Sequence, residues 1–380
     1  MTEVGAVPLR VIAGQWLRLG CLGFGGPPAH IALLRQLCVR RRGWISDREF
    51  EDGIAATNLL PGPASTQLAI YCGWRLRGVA GGLLAGVCFI APGLVVILGL
   101  AAFLLSGHPA APVLGAAAGA GAAVPAVAVH AAAGLVPASW KRAGPHRPAL
   151  ARWAAYVLAG GTAAAITGPW LVLVLLACGA IETVTRLGPP RHRPAALPLA
   201  VGLGAGSGLV ALCWTALKVG ALSYGGGFVI IPLMRADAVD THHWMTGQEF
   251  LYAVALGQIT PGPVVQTVAV VGYAAAGVGG GLLAALVAFA PSFVFVLAGA
   301  RHFDRLRANP RIRTFLTGAG AATIGAIAGS AIPLAWTLTE WWQFAVTVAA
   351  AVWLLVFRRG VVTALVSAAV LGALAVVVGL

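Results

Sequence analysis

The chain reads as an all-α polytopic membrane protein built from two inverted copies of one unit, and four observations predict this. It is 59% hydrophobic and only 9% charged, against roughly 25% charged residues in soluble domains. Its apolar runs reach about 20 residues, enough for a helix to cross a bilayer. A set of residues recurs at an offset of 200: Phe24-Gly25-Gly26 with Tyr224-Gly225-Gly226, and Pro61-Gly62-Pro63 with Pro261-Gly262-Pro263. Arg18 matches Lys218, Gly20 matches Gly220, Trp44 matches Trp244, Glu49-Phe50 matches Glu249-Phe250, and Asn58 matches Gln258. Finally, equivalent loops carry opposite charge bias. The segment 35–48 is strongly basic where 235–248 is not, and 301–313 is basic where 106–110 is bare. By the positive-inside rule equivalent loops then face opposite sides, which makes the copies an inverted repeat. The halves are expected at 1–190 and 191–380.

In chain order, an apolar segment over 6–23 stops at Gly25-Gly26-Pro27-Pro28. An amphipathic stretch from Ala29 to Val39 ends in Arg40-Arg41-Arg42, and Trp44 follows as an interface anchor. Ser46 and Glu49 have capping-box spacing, as do Thr246 and Glu249. The helices they start are broken at Pro61-Gly62-Pro63 and Pro261-Gly262-Pro263, because proline lacks a donor and glycine permits unusual angles. Each piece is too short to span the bilayer upright, so the pair is expected to form a re-entrant hairpin, the alternative being that the short helices cross at a slant and raise the count. Longer apolar runs follow at 79–105, 111–137, 149–166, 169–187 and 196–222, then at 279–300, 314–335, 341–357 and 361–379. An inverted repeat needs an odd number of crossings per half; about 5+5 crossings with two re-entrant hairpins satisfy it.

A break at membrane depth is tolerated inside protein or beside a water-filled cavity, and discontinuous helices mark transporter sites. The helix after each break presents free N–H groups and a positive dipole end. This nominates Gly62, Ser65, Thr66 and Gln67, with Gly262, Gln266 and Thr267, as oxyanion binders, together with Asn58 and Gln258 before the breaks. The glycine turns Gly25-Gly26 and Gly225-Gly226 offer further N–H groups or close helix packing. Arg18 and Lys218 sit in apolar helices, where a cation costs about 2.5–3.5 kcal/mol at the centre. With few acids near, an anionic substrate is their expected partner; snorkelling is the alternative. His30, Glu49 and Glu249 are the candidates for proton coupling, the glutamates also reading as caps. Glu182 and Arg186 read as a helix-end pair.

The net charge of +14 is read as topology signal rather than nucleic-acid binding. Six scattered cysteines form no CxxC pair and read as core residues. No hydrolase, metalloprotease or nucleotide-loop signature appears, so no enzyme activity, cofactor or metal is expected. No cleavable signal is read at the start.

The combination Arg18-Leu19-Gly20, Phe24-Gly25-Gly26-Pro27, Ala29-His30, Trp44, Glu49-Phe50 and Leu60-Pro61-Gly62-Pro63 resembles the N-terminal half of the chromate ion transporter family, long bidomain form. Lys218-Val219-Gly220, Tyr224 to Gly227, Trp244-Met245-Thr246, Phe250, Ala255 to Gln258 and Thr260 to Val264 resemble its C-terminal half. Tyr224 departs from the Phe of the family, and Ala55 to Asn58 from its Ala-Gln type run. The resemblance implies a chromate exporter of the inner, plasma membrane, conferring chromate resistance, with sulfate as the structural analogue. Alternatives are a carrier of sulfate or another oxyanion and, in a different class, a phosphate-headgroup lipid flippase or enzyme. Outward movement of a dianion gains roughly 4.6 kcal/mol at 100 mV, so alternating access driven by voltage, protons or both is expected. Partners are the oxyanion and the lipid bilayer; a homodimer is left open.

Overall fold

The computed structural model describes residues 7–105, 109–166, 171–188, 208–223, 228–299 and 308–379. Among them every regular element is helical. The first half contains α1 (Leu9–Leu22), α2 (Pro27–Arg35), α3 (Asp47–Thr57), α4 (Ala64–Leu105), α5 (Ala111–Ala143), α6 (Arg147–Ile166) and α7 (Leu171–Leu187). The second contains α8 (Leu209–Leu222), α9 (Ile230–Arg235), α10 (Gly247–Ile259), α11 (Thr267–Gly299), α12 (Pro310–Ala335), α13 (Trp341–Ala351) and α14 (Val361–Val378). Six helical stretches of 18 residues or more are apolar enough to cross a membrane, and Leu209–Leu222 and Trp341–Val356 are shorter apolar ones. The chain is a multi-pass membrane protein.

The repeat is visible in small details. Both predicted capping boxes form: Ser46 Oγ accepts from Glu49 N at 3.3 Å, and Thr246 Oγ1 accepts from Glu249 N at 3.2 Å. Both α2 and α9 run on into a π turn, over Gln36–Arg41 and Ala236–Thr241. Trp44 N and Trp244 N then each donate at 2.8 Å, to Cys38 O and Ala238 O.

At 42 residues, α4 would be about 63 Å long if straight, twice the hydrocarbon thickness. It reverses at Arg77 (φ −149°) and Gly78 (φ 59°), and α11 reverses at Ala276 (φ −154°) and Gly277 (φ 62°). Only glycine takes the second position of each turn without strain. Gly73 then faces Gly81 and Ala85, and Gly272 faces Gly280 and Ala284. Each helix is thus two antiparallel arms.

The short arm of α4 also runs antiparallel to α3. Glu49 at the start of α3 pairs with Arg75, and Gly53 meets Tyr71. Pro61-Gly62-Pro63 therefore caps a helical hairpin that enters and leaves on one side. The α1–α2 pair folds likewise. Trp16 Nε1 donates to Ala69 O at 3.1 Å, and Arg35 reaches back to Asp47 and Glu51 at the start of α3. The apolar segment read over 6–23 is accordingly a helix shorter than the hydrocarbon thickness. At 14 residues α1 measures about 21 Å and turns back through the glycines.

Equivalent helices pack antiparallel. Along the long arms of α4 and α11, Gly82 meets Leu297, Gly86 meets Phe293, and Leu98 meets Gly281. The later helices interlock: α5 packs on α13 and α14, while α12 packs on α6 and α7. These contacts run along glycine and alanine stripes, such as Gly115 and Gly119 against Gly372 and Ala368, where small residues let backbones approach.

Candidate oxyanion site

The two Pro-Gly-Pro tips lie inside the molecule, each latched to the opposite half. Gly62 N donates to Ser223 O at 3.1 Å, and Gly262 N donates to Gly23 O at 2.9 Å. Gly62 (φ +125°) and Gly262 (φ +106°) occupy backbone that other residues rarely adopt. The residues beyond the first tip, Ser65, Thr66 and Gln67, are buried, as are Gln258, Gln266 and Thr267 at the second. Asn58 and Pro61 are exposed, whereas Gln258 and Pro261 are buried, so the tips differ in access.

Several polar atoms here are buried without a hydrogen-bond partner among the described residues: Thr66 Oγ1, Gln67 Oε1, Ser223 Oγ, Gln258 Nε2, Gln266 Oε1 and Ser292 Oγ. Buried polar groups are nearly always paired; these six, at two repeat-related tips, leave hydrogen-bonding capacity that a polar ligand or water can fill. Thr267 is self-contained, its Oγ1 donating to Val264 O at 2.8 Å. Sequence reasoning missed Ser223 and Ser292. The signal was their place in the repeat, a hydroxyl where the first copy has Gly23 and Gly93.

His30 ties α2 to the first tip. Its Nε2 donates to Gly23 O at 2.9 Å, its Nδ1 lies 3.1 Å from Ser65 Oγ, and its ring stands edge-on to Phe89. Nδ1 of the neutral ring accepts from the Ser65 hydroxyl; a second proton would reverse that bond. Gly25 (φ +93°) and Gly26 (φ +76°) form the preceding turn, with open space where a Gly26 Cβ would stand. Gly225 and Gly226 lie outside the described residues.

The two cations do not meet at the tips. Arg18 is exposed on the face of α1 opposite Trp16 and Leu19. Lys218 has an acid after all: its Nζ lies 2.5 Å from Asp237 Oδ2, which also accepts from Thr215 Oγ1 at 2.7 Å. The first copy has Leu37 at the position of Asp237, so the pair belongs to one half only. Lys218→Ala strands a carboxylate that is 8% exposed, and breaking a buried pair costs about 3–5 kcal/mol. The yield of folded Lys218→Ala protein should fall, and Lys218→Met with Asp237→Leu should recover it. Size-exclusion profiles in detergent check this.

The glutamates sit at the outer ends of their hairpins, away from the tips. Burial pushes the Glu49 carboxyl up, but its hydrogen bonds to Ser46 and the Arg75 guanidinium more than offset this and hold it below the usual value. A lowered carboxylate stabilises the fold above its unfolded pKa, and that contribution is lost as pH falls through the lowered value. Hydrogen-exchange protection at the start of α3, taken relative to the intrinsic rate at each pH, should therefore be flat around neutral pH and fall only in acid, and Glu49→Gln should remove that fall.

Among the described residues of the first half, Glu182 is the most enclosed acid. Its carboxylate takes Arg152 Nε at 2.9 Å, Tyr156 OH at 3.1 Å and the Arg186 guanidinium. The helix-end pair with Arg186 is present, and Arg152 from α6 joins it.

The chromate transporter family profile matches residues 11–183 and 210–374, one match per half. The chromate transport protein of Cupriavidus metallidurans is 33% identical over 338 residues, covering 86% of this chain and 82% of that protein. A probable chromate transport protein of Synechococcus elongatus is 33% identical over 350 residues, covering 87% and 85%. The chromate transport protein of Pseudomonas aeruginosa is 33% identical over 353 residues, covering 86% and 81%. No solved structure matches the chain. The double profile match, the repeated tips and the apolar helices agree: this chain belongs to the chromate transporter family.

Proposed function

We propose that the protein exports chromate across the inner membrane, its two halves rocking to expose the tips first to one side and then to the other. The observation that carries this is the reciprocal latch: the buried glycine of each Pro-Gly-Pro tip bonds the end of a short helix, α8 or α1, in the other copy. A site shared by two antiparallel copies can open either way by exchanging the conformations of the copies. The exposure of Asn58 and Pro61 against the burial of Gln258 and Pro261 fits a state open toward one side. By the charge bias of the loops, residues 1–190 and 191–380 form the oppositely oriented halves, and the first hairpin enters from the cytoplasm.

The anion binds at Ser65, Thr66 and Gln67, with Gln266 and Gln258 completing the site from the second copy. The N–H groups at the start of α4 supply its positive end. Each negative charge moved outward gains about 2.3 kcal/mol per 100 mV, so voltage alone suffices as the drive. His30, touching Ser65, is placed to add a proton dependence. The test is chromate flux from vesicles of the purified protein under an imposed potential, with sulfate as the competing anion. Outward flux should rise with an inside-negative potential; flux indifferent to its sign would remove voltage as the drive.

A further inference from the structure

The two glutamines related by the repeat each commit the amide nitrogen to a backbone carbonyl, Gln67 in its own tip and Gln266 in the opposite half. Gln67 Nε2 donates to Pro61 O and Gln266 Nε2 donates to Ile90 O, each at 2.7 Å. A backbone carbonyl only accepts, so both amide orientations are settled by their neighbours. Each Oε1 is left as an acceptor, buried and without a partner among the described residues. An unmet buried acceptor is destabilising, and the molecule carries one at each tip. Such atoms call for a ligand that donates.

A fully ionised tetrahedral oxyanion has acceptor oxygens and no donor, and would set its lone pairs against Oε1. A singly protonated one carries an O–H. The charge balance points the same way. A helix N-terminus is equivalent to about +0.5 charge, so the two tips together offer roughly +1. Lys218 is engaged by Asp237, and Arg18 lies on an exposed face. The tips thus match a monoanion better than a dianion.

We propose that the site takes its oxyanion singly protonated. The O–H donates to Gln67 Oε1 or, in the repeat-related pose, to Gln266 Oε1. The other oxygens accept from the hydroxyls of Thr66, Ser223 and Ser292 and from the N–H groups at the start of α4. This rests on the oxyanion-transport reading above. It gives the site a means of discrimination independent of size: the second ionisation of chromate falls near neutral pH, whereas that of sulfate lies in strong acid.

The titratable group in contact with the tips is His30, through Ser65. Glu49 pairs with Arg75 at the far end of the same hairpin, and Asp237 pairs with Lys218 beside α8. A His30→Gln variant therefore separates protonation of the ligand from that of the protein.

The experiment is equilibrium binding of chromate to the purified full-length protein, across a pH series spanning the second ionisation of chromate, with sulfate as competitor. Above that ionisation the apparent Kd for total chromate should weaken about tenfold per pH unit, in wild type and His30→Gln alike. Sulfate should compete at least about tenfold more weakly than chromate, a difference of roughly 1.4 kcal/mol. Gln67→Met with Gln266→Met should flatten the pH slope and narrow the gap to sulfate. The wild-type series and the sulfate competition stand without that variant if it does not fold. Affinity that is constant or tightens as pH rises, or a slope that disappears in His30→Gln, would overturn the proposal and leave oxyanion transport standing. Absence of chromate binding at every pH would overturn both.

Discussion

Gly93→Ala should cut chromate flux at least tenfold while the protein still inserts and purifies. Gly93 lies in the long arm of α4, where the second tip rests on it. A Cβ there would overlap the Pro261 carbonyl oxygen and stand 2.5 Å from Gln266 Oε1. The Pro261 oxygen is backbone and cannot swing aside, so the tip must lift. Overpacking of this kind costs about 1–3 kcal/mol, and the displaced part carries Gly262, Gln266 and the latch to Gly23. The comparison variant is Gly99→Ala, in the same helix, where nothing lies within 4 Å of a new Cβ; its flux should stay within about twofold of wild type, as for surface changes generally. Equal flux in the two variants would show that transport does not depend on how the second tip is seated.

Glu182→Ala should destabilise the packing of α6 against α7 by removing the carboxylate that gathers two arginines. The carboxylate is 2% exposed and gathers Arg152 and Arg186, whose side chains are 32% and 31% exposed. Removing one partner of a fully buried pair costs about 3–5 kcal/mol. Here the arginines keep about a third of their surface in contact with solvent, which screens the loss, so about 1–3 kcal/mol is expected. Tyr156 also loses its acceptor. Glu182→Gln keeps one acceptor oxygen and should fall between. Thermal unfolding in detergent, read as the temperature at which the monodisperse peak is lost, should order wild type above Gln above Ala. An unchanged transition in Glu182→Ala would mean that α6 and α7 are held by their packing on α12 alone.

Much of the site could be read from residue types because the break is a local event. Two prolines around a glycine interrupt a helix wherever they occur, and the polar residues that follow must then lie near the exposed helix start. Ser65, Thr66, Gln67 and Gln266 were named on that ground, and they are buried around the tips. The capping boxes at Ser46 and Thr246 were legible for the same reason. The pairing of Lys218 is not legible in the sequence because its partner, Asp237, stands 19 positions away on another element, beside other charges that do face outward. Ser223 and Ser292 escaped notice because a serine at a helix end or in an apolar arm carries no signal until a neighbour approaches.

By itself, the order of residues determined an all-helical membrane protein, its duplication, its interrupted helices and the resemblance to chromate transporters. These follow from composition, from register and from the intrinsic limits of proline and glycine. Only the tertiary structure decided that the short helices turn back as hairpins and that α5 and α12 each pack on the last helices of the other copy. It also decided that the two amide oxygens at the tips are left as acceptors. Those outcomes depend on which backbone oxygen comes within reach of which side chain. That is settled when the two halves close on each other, and no local pattern encodes it.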